Sequence, residues 1–397
     1  MNLRRQLLRT FVLQGAGSAC ILLATLILGA QMGPEVQGGF SRTKAEVEFV
    51  AALAMFGLPQ SLFFHVKSGR MSDAAALRWT AISGLVAVAI GTALGLERAG
   101  AALALVLGLA VAACAVHGQL RVLVLVRERT EWFNVFTAVP QLLVLLGVLA
   151  VAAGVVRDPQ SPAIWWLVYA AAFALAATLA WAKLRASVGG ADAATPANRV
   201  AVLRYGLATW IAAALPTAAV LFAQRWVEDV DGAAALGRFT LALTLVQVPL
   251  TPVAYAAPLL FRRWMERPGG RASRRWAARL SLLLFGGAIV VWLAAPLWPD
   301  LGLGAAYDGA TRALGVLLAG GAAEAASRIM AAQATASGKP WIGVRAEVAR
   351  WAVLGLAWLL PLPGDTLVVC AAWAVAAAAA ALVFALRTRD APAEVHA

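Results

Sequence analysis

The sequence has few charged residues and few cysteines for a chain of its length. Charged residues make up 13% of the 397 residues, whereas hydrophobic residues make up 62%, and the mean hydropathy is +0.78. A soluble domain carries about 25% charged residues, so the composition excludes an ordinary soluble protein. It predicts an all-α polytopic membrane protein, because helices satisfy their own backbone groups inside a bilayer.

The sequence also lacks the common motifs of enzymes and metal sites. Cys20, Cys114 and Cys370 lie in apolar runs, without the spacing of a metal or redox site. There is no H-E-x-x-H motif, no phosphate-binding Gly-Lys-Ser/Thr loop and no nucleophile elbow. We therefore expect no enzymatic activity, no catalytic residues, no metal and no other cofactor.

The net charge of +13 is explained by basic loops that orient the chain in a membrane, not by nucleic-acid binding. A window of about 20 apolar residues finds about twelve candidate transmembrane helices. They lie near 8–30, 45–66, 77–96, 100–126, 132–155, 162–183, 201–224, 236–261, 277–298, 309–332, 341–361 and 365–386. With a cytoplasmic N-terminus, 26 of the 33 Lys and Arg residues fall on the cytoplasmic side, which predicts that both termini are cytoplasmic.

A stretch near the middle of the chain, SVGGADAATPANR, is rich in Gly, Ala and Pro. Such composition is typical of a linker. It predicts an N-terminal six-helix bundle over 1–186, a cytoplasmic linker over 187–199 and a C-terminal six-helix bundle over 200–397. No loop is long enough for a soluble domain.

The two predicted bundles share a sequence pattern. A shift of 199 residues, without a gap, places Gly38 on Gly237 and Phe40 on Phe239. Six helices separate the two copies, so both copies cross the membrane in the same direction. This predicts a parallel repeat, in which a pseudo-two-fold axis along the membrane normal relates the bundles.

Four charges at the start of the second predicted helix are absent from the second copy. Arg42, Lys44 and Glu46 align with leucines, and Glu48 aligns with Gln247. The shape of the helix therefore does not need them. Two interpretations stay open: pairs at i,i+4 spacing near a helix end, or the lining of the outer mouth of a polar pathway.

The segment LGAQMGPEVQGGFS, followed by a helix that ends FGLPQSLFFHV, resembles the start of the polysaccharide (O-antigen-type) flippases. These belong to the multidrug/oligosaccharidyl-lipid/polysaccharide exporter superfamily. Residues 33–35 fit the family's Leu-Gly-Pro-Glu-like turn, residues 38–41 fit its Gly-x-[Phe/Tyr]-[Ser/Ala] motif, and Gly338 with Lys339 fits the turn after its tenth helix. The chain departs from the family in helix number, since members commonly have fourteen.

The resemblance implies two bundles around a central cavity, in a bacterial inner membrane. It implies alternating access that moves a polyprenyl-diphosphate-linked oligosaccharide to the outer leaflet, for biosynthesis of a surface polysaccharide such as lipopolysaccharide. The expected partners are this lipid-linked oligosaccharide and membrane lipids, with a glycan polymerase or glycosyltransferases of the same pathway as further candidates. Two alternatives stay open: a cation-coupled multidrug or small-molecule exporter of the same superfamily, and a membrane-embedded glycosyltransferase or ligase.

A carrier of a diphosphate needs cations along its path. The candidate substrate-binding residues are Arg42, Lys44, His117, Arg121, Arg225 and Arg328. Glu48 and Glu324 are candidates for coupling to an ion. For the arginines, snorkelling to the interface is the alternative; for His117 it is a structural hydrogen bond, and for Glu324 a stable pair with Arg328.

Two further charged segments have both a functional and a plain interpretation. The acids of RWVEDVDG, residues 225–232, bind a divalent cation or form a solvated turn. The basic segment 262–279, with Trp264 and Trp276, lies on anionic lipid or serves only to set the topology. No charged residue is expected at the membrane midplane.

Overall fold

The computed structural model describes residues 3–127, 130–156, 158–185, 199–266 and 270–387. These residues form ten α-helices and one 3-10 helix, and none of them is in a β-strand. The α-helices are α1 (Leu3–Met55), α2 (Leu58–Lys67), α3 (Asp73–Val126), α4 (Thr130–Ala152), α5 (Pro162–Arg185), α6 (Arg199–Glu266), α7 (Gly270–Ala294), α8 (Ala310–Ala336), α9 (Trp341–Leu359) and α10 (Thr366–Arg387). The predicted linker, except for Arg199, lies outside the described residues.

The three longest helices each consist of two helices that meet at one glycine. Gly33 in α1, Gly100 in α3 and Gly232 in α6 have φ angles of 83°, 75° and 81°, a region that favours glycine. Counting these breaks, and taking α2 as the continuation of α1, the described residues give twelve helical segments. Within the described ranges, nine stretches are long and apolar enough to cross a membrane, two of them spanning a glycine break. The predicted fold class, an all-α membrane protein of about twelve helices, is confirmed.

The glycine breaks also support the repeat found in the sequence. Gly33 and Gly232 stand 199 residues apart, which is the shift that aligns the two copies. Their φ and ψ angles are 83° and 173° at Gly33, and 81° and −177° at Gly232, so the backbone turns in the same way at both. Each copy therefore passes from its first helix to its second through an equivalent turn.

The chain divides into two compact units, which do not coincide with the two predicted bundles. The first unit contains Met1–Ile27 and Gly39–Leu221, and the second contains Leu28–Gly38 and Phe222–Ala397. The bundle boundaries near residues 186 and 200 stay a prediction.

In the first unit, the beginning of α6 packs against the end of α1. Helix α1 ends at Met55, so its last carbonyl groups have no partner within the helix. Trp210 Nε1 donates to the carbonyl oxygen of Leu53 at 3.0 Å, and Thr209 Oγ1 donates to that of Gly57 at 3.3 Å. The same two carbonyls also accept the backbone N–H groups of Phe56 and Ser61, so the bonds from α6 are second bonds that hold the junction of α1 and α2 to α6.

In the second unit, the segment Leu28–Gly38 packs closely on α6. A Cβ atom on Gly38 would lie 2.9 Å from the backbone nitrogen of Gly237, so the two backbones approach closely only because both residues are glycine. Beside them, Gln37 Nε2 donates to Thr240 Oγ1 at 3.0 Å, and Tyr307 donates its hydroxyl hydrogen to Gln37 Oε1 at 3.0 Å. The buried amide therefore has a partner on both sides.

Candidate functional site

The four charges of residues 42–48 lie well inside a helix, not at its end. The helix resumes directly after Gly33, so at about 1.5 Å per residue these charges lie about 13–22 Å beyond the turn. All four side chains are half-buried. Lys44 Nζ lies 2.8 Å from Glu48 Oε2, which is the i,i+4 pair proposed from the sequence. One interpretation placed these charges near a helix end. That position is wrong, because the predicted second helix began too late.

His117 is a buried structural residue that satisfies a carbonyl group on α4. Pro140 lies inside α4 and has no N–H, so the carbonyl of Phe136, four residues earlier, has no donor in its own helix. His117 Nε2 lies 2.6 Å from that carbonyl oxygen and therefore donates to it. The ring also packs edge-on against Phe173. The sequence left open whether His117 binds substrate or makes a structural hydrogen bond. The structure contains the hydrogen bond.

Arg121 lies one turn after His117 on α3 and also faces α4. Its guanidinium carbon lies 5.5 Å from the centre of the Phe133 ring, within reach of a cation–π interaction. Its Nη1 is 3.5 Å from Thr137 Oγ1, at the limit of a hydrogen bond. The first unit thus holds the predicted residues His117 and Arg121 on one face of α3, as the spacing indicated.

The second unit contains a buried network of four charges. Glu324 accepts from Arg328 Nε at 3.2 Å and from Arg350 Nη2 at 2.6 Å. Arg350 also pairs with Glu347, with 2.8 Å between its Nε and Glu347 Oε2. At the other end, Arg328 Nη2 donates to Gln247 Oε1 at 3.2 Å. Two arginines and two glutamates make the network neutral.

This network lies at half the length of two helices, where the sequence analysis expected no charge. Glu324 is at the middle of α8, which has 27 residues, and Arg350 is at the middle of α9, which has 19. The side chain of Arg350 is 2% exposed. Charge at this depth is costly, and in membrane proteins it is commonly functional. Glu347 and Arg350 were missed although both lie inside the predicted helix near 341–361, because Arg350 was counted among the 26 basic residues of the cytoplasmic side.

The remaining sequence candidates lie apart from this network. Arg225 is exposed on α6, seven residues before the break at Gly232. The neighbouring acidic segment is helical up to the break at Gly232 and not a turn, so that interpretation is wrong. Within it, Asp231 accepts from the backbone N–H of Thr366 at 2.7 Å and from its hydroxyl group. Asp231 therefore satisfies the N-terminus of α10, whose free N–H groups favour a carboxylate.

One interpretation of the basic segment 262–279 placed both of its tryptophans on lipid. The structure does not agree with it for both residues. Trp264 is buried in a cluster with Val253, Ala277 and Ile329. Trp276 is exposed on α7. Trp264 therefore contributes to the core of the second unit, and only Trp276 has the exposure that a lipid contact requires.

The candidate residues fall into two groups, one in each unit. Arg42, Lys44, Glu48, His117 and Arg121 belong to the first unit. Arg225, Glu324 and Arg328 belong to the second. Within the described ranges, no group of three or more His, Cys, Asp or Glu side chains could hold a metal ion.

Comparison with known proteins places the fold in one class. No family model and no curated protein sequence matches the chain. Solved structures do match, and the fold is that of the MATE family transporters of the MOP superfamily.

Three of these structures illustrate the likeness. An outward-facing multidrug resistance MATE transporter has 14% identity and a TM-score of 0.69, over 98% of this chain and 96% of its own. An inward-facing one has 14% identity and a TM-score of 0.66, over 94% of each chain. The Vibrio cholerae MATE transporter VcmN, in its bent form, has 14% identity and a TM-score of 0.61, over 97% of each chain.

These neighbours share the fold that the sequence resemblance implied. Two of them are multidrug resistance transporters, however, and not the O-antigen-type flippases that the sequence motifs resemble. At 14% identity the likeness concerns the fold, and the substrate must be argued from the residues of this chain.

Proposed function

We propose that this multi-pass membrane protein is an alternating-access exporter of small organic molecules, driven by a cation gradient. The observation that carries the proposal is the fold. The same fold occurs in solved transporters in both inward-facing and outward-facing conformations, and it extends over 94–98% of this chain. The inner membrane, and cytoplasmic positions for both termini, are part of the proposal and rest on the distribution of Lys and Arg.

The state of the candidate cations favours a small organic substrate over a lipid diphosphate. Lys44 is paired with Glu48, and Arg328 is paired with Glu324. The Nε2 of His117 is occupied by a backbone carbonyl. A site for a diphosphate needs cations whose charge is not already compensated. Three of the six residues proposed for that role therefore do not supply such a charge.

The second candidate function is the flipping of a lipid-linked oligosaccharide. The specific observation in its favour is the turn at Gly33, followed by Pro34 at the start of the next helix. This turn lies where the resemblance to polysaccharide flippases placed it. Under this function the candidates for contact with the diphosphate would be Arg42, Lys44 and Arg121 in the first unit, or Arg225 and Arg328 in the second.

One experiment separates the two functions. Purified protein is reconstituted into liposomes, and efflux of a cationic dye is measured with an imposed proton or sodium gradient. In parallel, the gene is introduced into a strain that lacks its own lipid-linked oligosaccharide flippase, and surface glycan is measured. We expect gradient-dependent dye efflux and no restored glycan. Restored glycan without dye efflux would contradict the exporter and support the flippase.

A matched pair of variants tests the argument about charge. In the double variant Lys44→Leu with Glu48→Leu, the ion pair is removed and net charge is unchanged. In the single variant Lys44→Leu, Glu48 is left without its cation. An exporter whose pair is only structural should retain dye efflux in the double variant. Loss of restored glycan in both variants, at normal protein levels, would instead place Lys44 on the path of a diphosphate.

A further inference from the structure

The two glutamates of the buried network differ in how much positive charge surrounds them. Glu324 contacts two guanidinium groups, those of Arg328 and Arg350, and each of its oxygens accepts one hydrogen bond. Among the described residues, the one cation that Glu347 contacts is Arg350, at 2.8 Å from Nε and 3.3 Å from Nη2. Arg350 is thus shared by two carboxylates, whereas Glu324 has a second arginine of its own.

The charges around each carboxylate give the order in which they accept a proton. Glu324 has two cations and one anion, Glu347, beside it, so its surroundings favour the ionised form. Glu347 has one cation, Arg350, and one anion, Glu324, beside it, so the neighbouring charges cancel. The facing helix α10 carries no charged residue between Thr366 and Ala385, and Cys370 is its one titratable group there. Glu347 itself is 4% exposed, so water compensates little of its charge.

The network also has one end within reach of water. The side chain of Arg328 is 27% exposed, whereas that of Arg350 is 2% exposed. Arg328 additionally contacts Gln247 on α6. The four charged groups form one continuous series of contacts. A change in the charge of Glu347, at the buried end, can therefore shift the position of Arg328 at the partly exposed end.

We propose that Glu347, and not Glu324, is the proton-binding carboxylate of the second unit. When Glu347 binds a proton, Arg350 transmits the change in charge to Glu324 and Arg328. This proposal rests on the proposed function in one respect, since proton binding here would serve the coupling of export to a gradient. A proton on Glu347 removes its charge and weakens its bonds to Arg350. The network then holds two cations and one anion, so Arg350 moves toward Glu324, and Arg328 is released toward Gln247 and water.

Infrared difference spectroscopy of the purified protein, between alkaline and acidic pH, tests this directly. A protonated carboxyl group that is shielded from water gives a carbonyl stretch at higher frequency than an exposed one. We expect this band in the wild type and its loss in Glu347→Gln. In Glu324→Gln the band should appear only at a lower pH, because Glu347 is then the one anion beside Arg350. Glu48→Gln, in the first unit, is the matched control and should retain the band.

Two results would overturn the proposal. Absence of the band from the wild type would mean that the network stays ionised throughout. A band retained in Glu347→Gln and lost in Glu324→Gln would assign the proton to Glu324. Because Glu347→Gln removes a buried charge, Glu347→Asp is measured as well; it keeps the carboxyl group and should keep a shielded carboxyl band if the chain folds.

The measurement needs neither substrate nor transport, so it is separate from the test of function. A band that depends on Glu347, in a protein that exports no dye, would contradict the exporter and leave the proton site standing. Dye efflux that is lost in Glu347→Gln and kept in Glu131→Gln, which changes an exposed carboxylate of α4, would connect the two. Dye efflux with unchanged pH dependence in Glu347→Gln would contradict the role of this site in coupling.

Discussion

Replacing Gly38 with alanine tests a close backbone contact in the second unit. The added Cβ would lie 2.9 Å from the backbone nitrogen of Gly237, 3.2 Å from the carbonyl oxygen of Ala233 and 3.3 Å from the Cα of Gly237. Carbon atoms in favourable contact are about 3.5–4.0 Å apart. All three atoms that the methyl group meets belong to the backbone of α6, so no side chain can rotate to make room.

The expected net loss of stability in Gly38→Ala is about 0–2 kcal/mol, and this variant should be about 1–3 kcal/mol less stable than a glycine-to-alanine change without the close contact. Inserting a methyl group into a tightly packed contact costs about 1–3 kcal/mol. Replacing glycine with alanine inside a helix contributes up to about 1 kcal/mol in the opposite direction. Gly237→Ala should cost more, because its Cβ would lie 2.6 Å from the carbonyl carbon of Pro34.

The neighbouring glycine supplies the control. A Cβ on Gly39 would have no atom within 4 Å, so Gly39→Ala should be neutral or slightly stabilising. Thermal unfolding in detergent, followed by the loss of monodisperse protein, measures both variants under the same conditions. Equal stability of Gly38→Ala and Gly39→Ala would refute the close approach of α1 and α6 in the second unit.

Three further predictions concern hydrogen bonds and charges, and thermal unfolding measures each of them. His117→Ala should cost about 1–3 kcal/mol, because it leaves a buried carbonyl without a donor; adding Pro140→Ala supplies the missing helix N–H and should recover part of that loss in a double-mutant cycle. Asp231→Ala should cost about 0.5–2 kcal/mol by removing one of the two carboxylates that cap α10, the other being Asp365, and an unchanged melting temperature would contradict that role. Arg350→Met should cost about 3–5 kcal/mol, whereas Lys44→Met should cost at most about 1 kcal/mol, because only the first leaves buried anions without their cation.

The sequence predicted the helices well because span length and hydropathy are local properties. The turn at residues 33–35 and the repeat were also visible, since glycine marks a backbone conformation that other residues avoid. The start of the second helix was placed too late because Arg42 and Lys44 were read as a helix end. In the structure the helix continues through them, and Lys44 pairs with Glu48 on the same helix.

The candidate site was harder to predict because its partners come from distant parts of the chain. The partner of His117 exists only because Pro140 removes a donor from α4, and a proline within a predicted span is the signal that could have revealed it. The network of Arg350 joins α8 and α9, and only its i,i+3 and i,i+4 pairs are visible in sequence. Sequence spacing alone cannot show that Glu324 and Arg350 meet at half the depth of two helices.

The single-residue turns at Gly33, Gly100 and Gly232 have a practical consequence for labelling the protein. An epitope tag or a cleavage site inserted at one of them would have to separate two helices that follow each other directly, and it would displace a positive φ. The segments 153–156 and 295–304, which follow α4 and α7, have an irregular backbone over several residues. Val155 and Leu297 in them are largely exposed. Reporters of sidedness should therefore be tolerated in these two segments and should abolish expression at the three glycines.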